Sequence, residues 1–551
     1  MALSGCEKTL DKLLVNPNGP TPESANADLY LTQAQLSFGG FFNAASGFGM
    51  QLTRQIVMFG PRYDNAFVPQ SYDGIWSTAY TGVLKHCNAL IPIADAEKKF
   101  VAVGMAKIMK AYVIMTMVDI FGDVPFAEGN LGEGNLNPKV DPGASVYAGA
   151  ISLLDQAIVD LAKTSASTPG AQDLIYGGSA ARWTTLAKTL KLRALVATKM
   201  ADPAANTKIA ALITAGDFID TDAKDFEFKY SKKGANPNSR HPRYVGNHTS
   251  TGSGDYIGTY LMWSLAQEKG QGDAQNDPRT RYYLYRQQLN YANVSENTIN
   301  CFGQAYPGHY AINLTNPYQG GAQYNMPFCL LISGFWGRDH GDNSGIPPDG
   351  LLRTTVGVYP FGGQFDSTGG ARVQVDFGGQ GAGIQPIWMS SFTDFTIAEY
   401  ELTLNNNVAN ARTRMESGIR KSINKVINFP AAIGYSVAIP PNLVPTAARI
   451  TNYVDKVLAA YDAATTTDAR LNIIMKEYYM ALWGNGVDAY NMYRRTNKPG
   501  NFQYTYETNP GLFINSHLYP SVFVNRNLNA AQKSGVGVQV FWDKNPPNSR
   551  R

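Results

Sequence analysis

Between positions 146 and 161 the residues Val146, Tyr147, Ala150, Ile151, Leu154, Ala157, Ile158 and Leu161 recur at steps of one, three and four. That spacing gathers them on one face of a helix, and such a face must be covered by other apolar surface. The chain therefore has to pack helix on helix. The helical period dominates from Ala27 to about Gly216. A further helix is expected from about Ser179 to Lys199, with Trp183, Leu186, Leu190 and Ala194 on one side and Lys188, Lys191 and Lys199 toward solvent. Asp202-Pro203 supplies its stop signal. Helical periodicity returns from Asp394 to Val426 and from Thr451 to Tyr493.

From about Asp217 to Gln385 Gly, Asn, Tyr and Pro accumulate, and short alternating stretches such as Phe226-Glu227-Phe228-Lys229-Tyr230 suggest small strands between long loops. Long loops in a compact protein usually carry function, so a recognition surface is sought there. The chain divides into a tether (1–26) and one domain (27–551). Within that domain a helical part (27–216), a loop-rich insert with short β-strands (217–390), a second helical part (391–495) and a C-terminal tail (496–551) follow one another. Paired amphipathic helices suggest a mainly α scaffold of helical hairpins, although no clean sequence period marks a repeat.

Composition excludes several classes of function. In 551 residues, 44% apolar content with 16% charged residues is ordinary for a folded protein. The net charge of +4 is small and its Lys and Arg are scattered, so the footprint of a nucleic-acid binder is missing. The longest strongly apolar stretch, Val113 to Val118, is about a third of the roughly 20 residues that span a bilayer, so no membrane crossing is expected. Four cysteines make no disulfide framework, and Cys87, Cys301 and Cys329 read as small buried apolar side chains.

Cys6 differs through its neighbours. Leu3-Ser4-Gly5-Cys6 resembles the lipobox of bacterial lipoproteins, in which the thiol is acylated and the bond before it is cut. Only Met1 and Ala2 precede it, which reads as a truncated or re-engineered signal peptide. Glu7 to Glu23, with Asn16-Pro17-Asn18-Gly19-Pro20, reads as a polar tether. Membrane attachment is expected through this lipid only.

Three segments carry a wider resemblance. The first is Gly104-Met105-Ala106, Lys110-Ala111-Tyr112 and Asp119-Ile120-Phe121-Gly122-Asp123-Val124-Pro125, where Gly122 can end a helix and Pro125 prevents its continuation. The second runs from Arg182-Trp183 through Leu190-Lys191-Leu192-Arg193-Ala194. The third is Glu477, Tyr479, Ala481-Leu482-Trp483-Gly484-Asn485-Gly486, Ala489-Tyr490 and Tyr493-Arg494-Arg495-Thr496, followed by Tyr519-Pro520 and Asn525-Arg526-Asn527. In order and separation they resemble the SusD and RagB family of outer-membrane lipoproteins of Bacteroidetes-type bacteria. Lys110 stands where the family usually has Arg, and Tyr479 and Tyr490 stand where Trp is common. The resemblance implies tetratricopeptide-like helical hairpins with a loop-rich insert. It also implies a lid on a SusC-like TonB-dependent barrel, which captures an oligosaccharide or, in some branches, a peptide and delivers it for import.

The sequence presents no convincing set of catalytic groups. His86, His241, His248, His309, His340 and His517 lack the spacing of a zinc protease, and Gly378-Gly379-Gln380-Gly381 lacks the lysine of a phosphate loop. The most unusual polar run is Trp336 to Asp349. Its Asp339, Asp342 and Asn343 offer oxygen ligands that could suit calcium, though without the spacing of an EF-hand. Trp336, Arg338 and Asp339 are also candidate ligand contacts. Sugars present flat apolar faces edged by hydroxyls, so aromatic rings beside polar side chains in loops are the other candidates. These are Arg62, Tyr63, Asp64, Asn65, Tyr72 and Asp73. Capture of oligosaccharide for a barrel is the leading expectation; a peptide binder, a structural subunit of an outer-membrane complex and a loop-rich glycan hydrolase are the alternatives.

Overall fold

Asn26 opens the first helix by accepting a hydrogen bond from the backbone N–H of Asp28, and α1 runs from Ala27 to Leu52. The computed structural model describes residues 26–289 and 305–550, apart from 312, 313, 321, 325, 344–351 and 368. Cys6 with its tether, Cys301 and the end of the Trp336–Asp349 run lie outside the described residues. Packed on α1 come α2 (Asp73–Ser77), a π-helical segment (Thr78–Leu84) and α3 (Lys85–Ala96), which leads into α4 (Phe100–Phe121). Gly122, with φ of 80°, ends α4 where a side chain would be strained.

Nearly the whole of α4 is buried, because α1, α3, α5 (Gly143–Leu161) and α6 (Ala180–Ala197) surround it. The expected six-residue limit on apolar sequence is exceeded here. Among the described residues α4 and α5 are long and apolar enough to cross a membrane by length and composition. In α4 that surface is covered by protein; its two interior lysines are paired, Lys107 reaching Asp160 at 2.6 Å and Lys110 reaching Asn88 at 2.7 Å. The face expected on α5 packs on α4 and α6.

The helix expected from about Ser179 to Lys199 is α6, and Ser179 caps it. Lys188 and Lys191 lie at the surface in ion pairs with Asp217 and Asp155. Lys199 departs from expectation: its side chain is buried, and its Nζ sits 2.8 Å from Glu399. Glu399 also takes two hydrogen bonds of 2.7 Å from Arg495, so a buried carboxylate holds both cations.

After α7 (Ala205–Ala215), β1 (Phe226–Lys229) pairs antiparallel with β4 (Ile384–Trp388), closing the insert at its two ends. A second two-stranded ribbon joins β2 (Leu284–Tyr285) to β3 (Thr355–Val356). Among its described residues the insert also holds three short helices, α8 (Pro242–Asn247), α9 (Thr259–Ala266) and α10 (Thr280–Tyr283), which its composition did not announce. Every residue of α9 is buried, so no polar face marks its period.

The second helical part comprises α11 (Ser390–Thr403), α12 (Val408–Ala432), α13 (Ala447–Ala463), α14 (Thr467–Ala481) and α15 (Gly486–Thr496), before a last turn, α16 (Ser521–Val524). Asn407, Thr446, Thr466 and Asn485 cap α12 to α15. The α11–α12 and α13–α14 pairs form hairpins, α14 packs on α11, and α15 returns across α1. One apolar core runs from Ala27 to Trp542, with a smaller one between α6, α7 and α11. The chain is thus mainly helical, with paired helices and two short ribbons. Cys87 is a buried free thiol, but Cys329 is disulfide-bonded, contrary to the expectation of a bare apolar side chain. Its partner sulfur lies outside the described residues, and sequence spacing could not announce the bond.

Candidate ligand-binding face

Arg54 turns the chain out of α1 with φ of 60° and is wholly buried. Its Nη1 donates to the carbonyl of Leu52, its Nε to Gln503 O at 3.1 Å, and its Nη2 to the Tyr63 hydroxyl at 3.1 Å. The guanidinium lies 5.0 Å from the centre of the Phe502 ring. One side chain thereby ties the loop after α1 to the loop after α15. A buried charge persists only where such partners replace water.

Backbone contacts extend the assembly. Gly341 N donates to Met58 O, Tyr506 N to His340 O, and Tyr63 N to Pro510 O, all within 2.9 Å. His309 Nε2 lies 2.9 Å from Thr505 O, and Gln503 Nε2 donates to Pro327 O. Four segments are joined: 53–66, 305–311, 326–343 and 501–513. The structure thus brings the two sequence-predicted loop clusters, Arg62 to Asn65 and Trp336 to Asn343, onto one face.

On this face Arg62, Asp64 and Asn65 are exposed. Arg62 and Asp64 pair at 2.8 Å, and Arg62 donates to Asn509 O. The other predicted residues lie deeper. Tyr63 is buried, its hydroxyl shared between Arg54 and His340. Trp336 packs with Cys329 in a small apolar cluster. Arg338 is buried over the Tyr256 ring and pairs with Asp342 at 3.3 Å. Asp339 is buried, accepts from Cys329 N at 3.2 Å, and burial pushes its carboxyl up to about 6. Tyr72 and Asp73 serve the C-terminal tail: the Tyr72 hydroxyl meets His517 Nδ1 at 2.8 Å, and Asp73 accepts from Ser521 Oγ and Val522 N at the start of α16. Asn343 is exposed, while Asp342 is occupied by Arg338. Among the described residues no group of three or more His, Cys, Asp or Glu side chains is arranged to hold a metal.

The rings that do reach the surface are ones the sequence did not single out. Phe59 is 38% exposed and meets Tyr256 edge-on at 5.5 Å. Tyr306 is 44% exposed, edge-on to Tyr310 and Phe328. Phe328 and Tyr506 lie nearly parallel with centroids 6.2 Å apart, and Tyr504 and His309 flank them half-buried. The signal available in the sequence was the aromatic density of Tyr306-Pro307-Gly308-His309-Tyr310 and Tyr504-Thr505-Tyr506. Exposed rings beside a carboxylate, an amide and a guanidinium can stack on a flat apolar ligand face and bond to its polar edge.

Residues 42–328 match a SusD-like family described as starch-binding and associating with the outer membrane. The fold is similar to a SusD/RagB family protein from Bacteroides thetaiotaomicron, at TM-score 0.65 and 19% identity over 95% of this chain and 99% of that one. It is also similar to a chitin-binding SusD homolog from Flavobacterium johnsoniae, at TM-score 0.61 and 17% identity over 94% and 99%. A SusD homolog from Bacteroides fragilis aligns at TM-score 0.63 and 16% identity over 94% and 99%. No curated protein matches the chain. The helical scaffold, the loop insert and the matched segment together place this chain in the SusD/RagB family of non-catalytic nutrient-binding proteins associated with the outer membrane.

Proposed function

We propose that the four-loop face captures an oligosaccharide and that the protein hands it to a SusC-like TonB-dependent barrel, held near it by a lipid on Cys6. The observation that carries this reading is the set of accessible rings, exposed Phe59 and Tyr306 with half-buried Tyr506, on the same joined loops as the Arg62–Asp64 pair. Stacking on rings supplies affinity, and the charged pair supplies bonds to hydroxyls at the ligand's edge. One protein of similar fold is a chitin-binding SusD homolog, which makes N-acetylglucosamine oligomers the first ligands to try.

Calorimetric titration with chitohexaose, maltohexaose and a hexapeptide mixture tests the ligand class. Binding of a glycan, weakened about fivefold or more by Tyr306→Ala or Tyr506→Ala, is the expected result. Binding of peptides alone would sink the carbohydrate reading. Release of shorter products from a bound glycan would contradict capture without turnover. Replacing Cys6 by Ala should free the protein from membranes, and co-purification with a barrel checks the partner.

A further inference from the structure

Away from the loop face, a cavity of about 460 Å³ opens between the β1–β4 ribbon and the last turns of α12. It lies at the level of Asn43, which accepts a hydrogen bond from Gln385 of β4 at 3.1 Å. Asn43 stands nine residues before the end of α1, roughly 14 Å along the helix from the point where the loop face begins. Its size falls in the range of roughly 300–1,000 Å³ typical of small-ligand pockets.

The lining is specific in its chemistry. Buried Phe429, the half-buried ring of Tyr230 and Ile384 supply the apolar part of the lining. Lys425 lies 2.9 Å from both Asp225 and Glu227, and Lys229 lies 3.4 Å from the other oxygen of Glu227. The carboxylate is thus fixed in place while retaining lone pairs for further donors. Asn428 adds an exposed amide on the wall. Acidic and basic side chains alternate around the cavity, Asp222, Asp225 and Glu227 against Lys229, Lys232 and Lys425, so no single sign of charge dominates the wall. A neutral ligand with an apolar ring face and hydroxyl edges gains from both the rings and the polar groups.

We propose that this cavity is a second carbohydrate pocket, which takes a mono- or disaccharide unit independently of the four-loop face. The ligand class rests on the carbohydrate reading of that face; the cavity and its lining do not.

The test is saturation-transfer NMR of the full-length protein with maltose, cellobiose and diacetylchitobiose as probes. Three variants are compared with the unaltered chain: Ala432→Trp, which fills the mouth from an exposed position; Asn428→Ala, which removes one exposed amide; and Tyr306→Ala with Tyr506→Ala on the loop face. Thermal melts show whether each variant is folded. The expected result is a disaccharide signal that survives the loop-face variant and falls about tenfold in Ala432→Trp, with a smaller loss in Asn428→Ala. A signal that vanishes in the loop-face variant, or that is untouched by both pocket variants, overturns the proposal and leaves the loop-face reading standing. No signal from any of the three sugars overturns it as well, whatever longer glycans do. If long glycans fail to bind while the Ala432→Trp-sensitive signal remains, the loop-face reading fails and the pocket stands.

Discussion

The Tyr63 hydroxyl and His340 Nε2 lie 3.0 Å apart in a buried contact between two loops separated by 277 positions in sequence. Arg54 donates to the same hydroxyl, and the Tyr63 ring meets Phe513 edge-on at 5.2 Å. Tyr63 is therefore the point at which the loops after α1, after α15 and before β3 are locked together. The exposed Arg62 and Asp64 are carried on either side of it. Its role is to hold the ligand face in shape from beneath.

Removing only that hydroxyl, in Tyr63→Phe, should leave Arg54 and His340 each short of a buried partner. The expected cost is about 1–3 kcal/mol in urea denaturation, because an unsatisfied buried polar group forfeits its desolvation. Arg62→Ala, at the exposed neighbour, should cost under about 0.5 kcal/mol of stability. If the two variants denature alike, Tyr63 is not the lock.

The crossing of α1 and α15 explains a piece of the family-like sequence. A Cβ on Gly49 would lie 1.9 Å from Gly486 O, and one on Gly486 would lie 2.0 Å from Ser46 O. Ser46 Oγ donates to Gly484 O and accepts from Gly486 N, which stitches the two backbones together. Gly486→Ala should force the helices apart, at roughly 1–3 kcal/mol or more by the usual cost of overpacking. Gly40→Ala on the same helix α1, where an added Cβ meets nothing within 4 Å, is the control and should be neutral or slightly stabilising. Thermal denaturation of both variants checks the contrast.

Asp119, at the head of the segment Asp119-Ile120-Phe121-Gly122-Asp123-Val124-Pro125, is a second example of sequence likeness that proves structural. Its carboxylate accepts from Tyr147 Oη, from Asn491 Nδ2 at 2.7 Å, from Trp542 Nε1 at 3.0 Å, and from Arg193 at 3.3 Å. It joins α4 to α5, α6, α15 and the C-terminal tail. Asp119→Ala should cost about 3–5 kcal/mol, the range for breaking a buried ion pair by removing one partner. A loss below about 1 kcal/mol in chemical denaturation would show that the hub is redundant.

These two cases show why the scaffold was legible and the ligand face was not. The period from Val146 to Leu161 lies within the observed Gly143–Leu161, and Ser179 caps α6, because helix contacts repeat every three or four residues. Glu477, Asp488, Arg494 and Arg495, within the third resembling segment, are buried and bonded within the scaffold. The ligand face arises from contacts such as Arg54 to Gln503, 449 positions apart, which no local pattern encodes. Aromatic residues in loops also looked equivalent in sequence. Folding buried Tyr63 and Tyr72 and left Tyr306 and Tyr506 accessible, and only the neighbours of each ring decide which.

Acid should destabilise the protein well before its ordinary carboxylates titrate. His241, His340 and His517 are buried with pKa held well below 6.5, in each case first by loss of water and then by nearby cations, and burial lowers His248 to about 3. In the unfolded chain these rings take up protons near pH 6.5, whereas the folded chain refuses them. Their contribution is complete above that pH and is lost as pH falls. Asp225 and Asp339 act in the opposite sense, since burial raises them to about 7 and about 6, so the folded state holds protons the unfolded state releases near 3.8. Lys476 and Lys533, lowered to about 8 and about 7, change protonation above this window. Between pH 6 and 4 the four imidazoles outnumber the two raised carboxyls, and Glu399, lowered to about 2, acts in the same sense as the imidazoles, so stability falls on acidification. The urea midpoint should therefore already decline as pH is lowered through 7 and fall further from about 6 to 4. His248→Gln keeps an acceptor for Gln364 N and should shallow that slope by about one proton. A midpoint that is flat or rises on acidification would contradict the burial of neutral histidines described here.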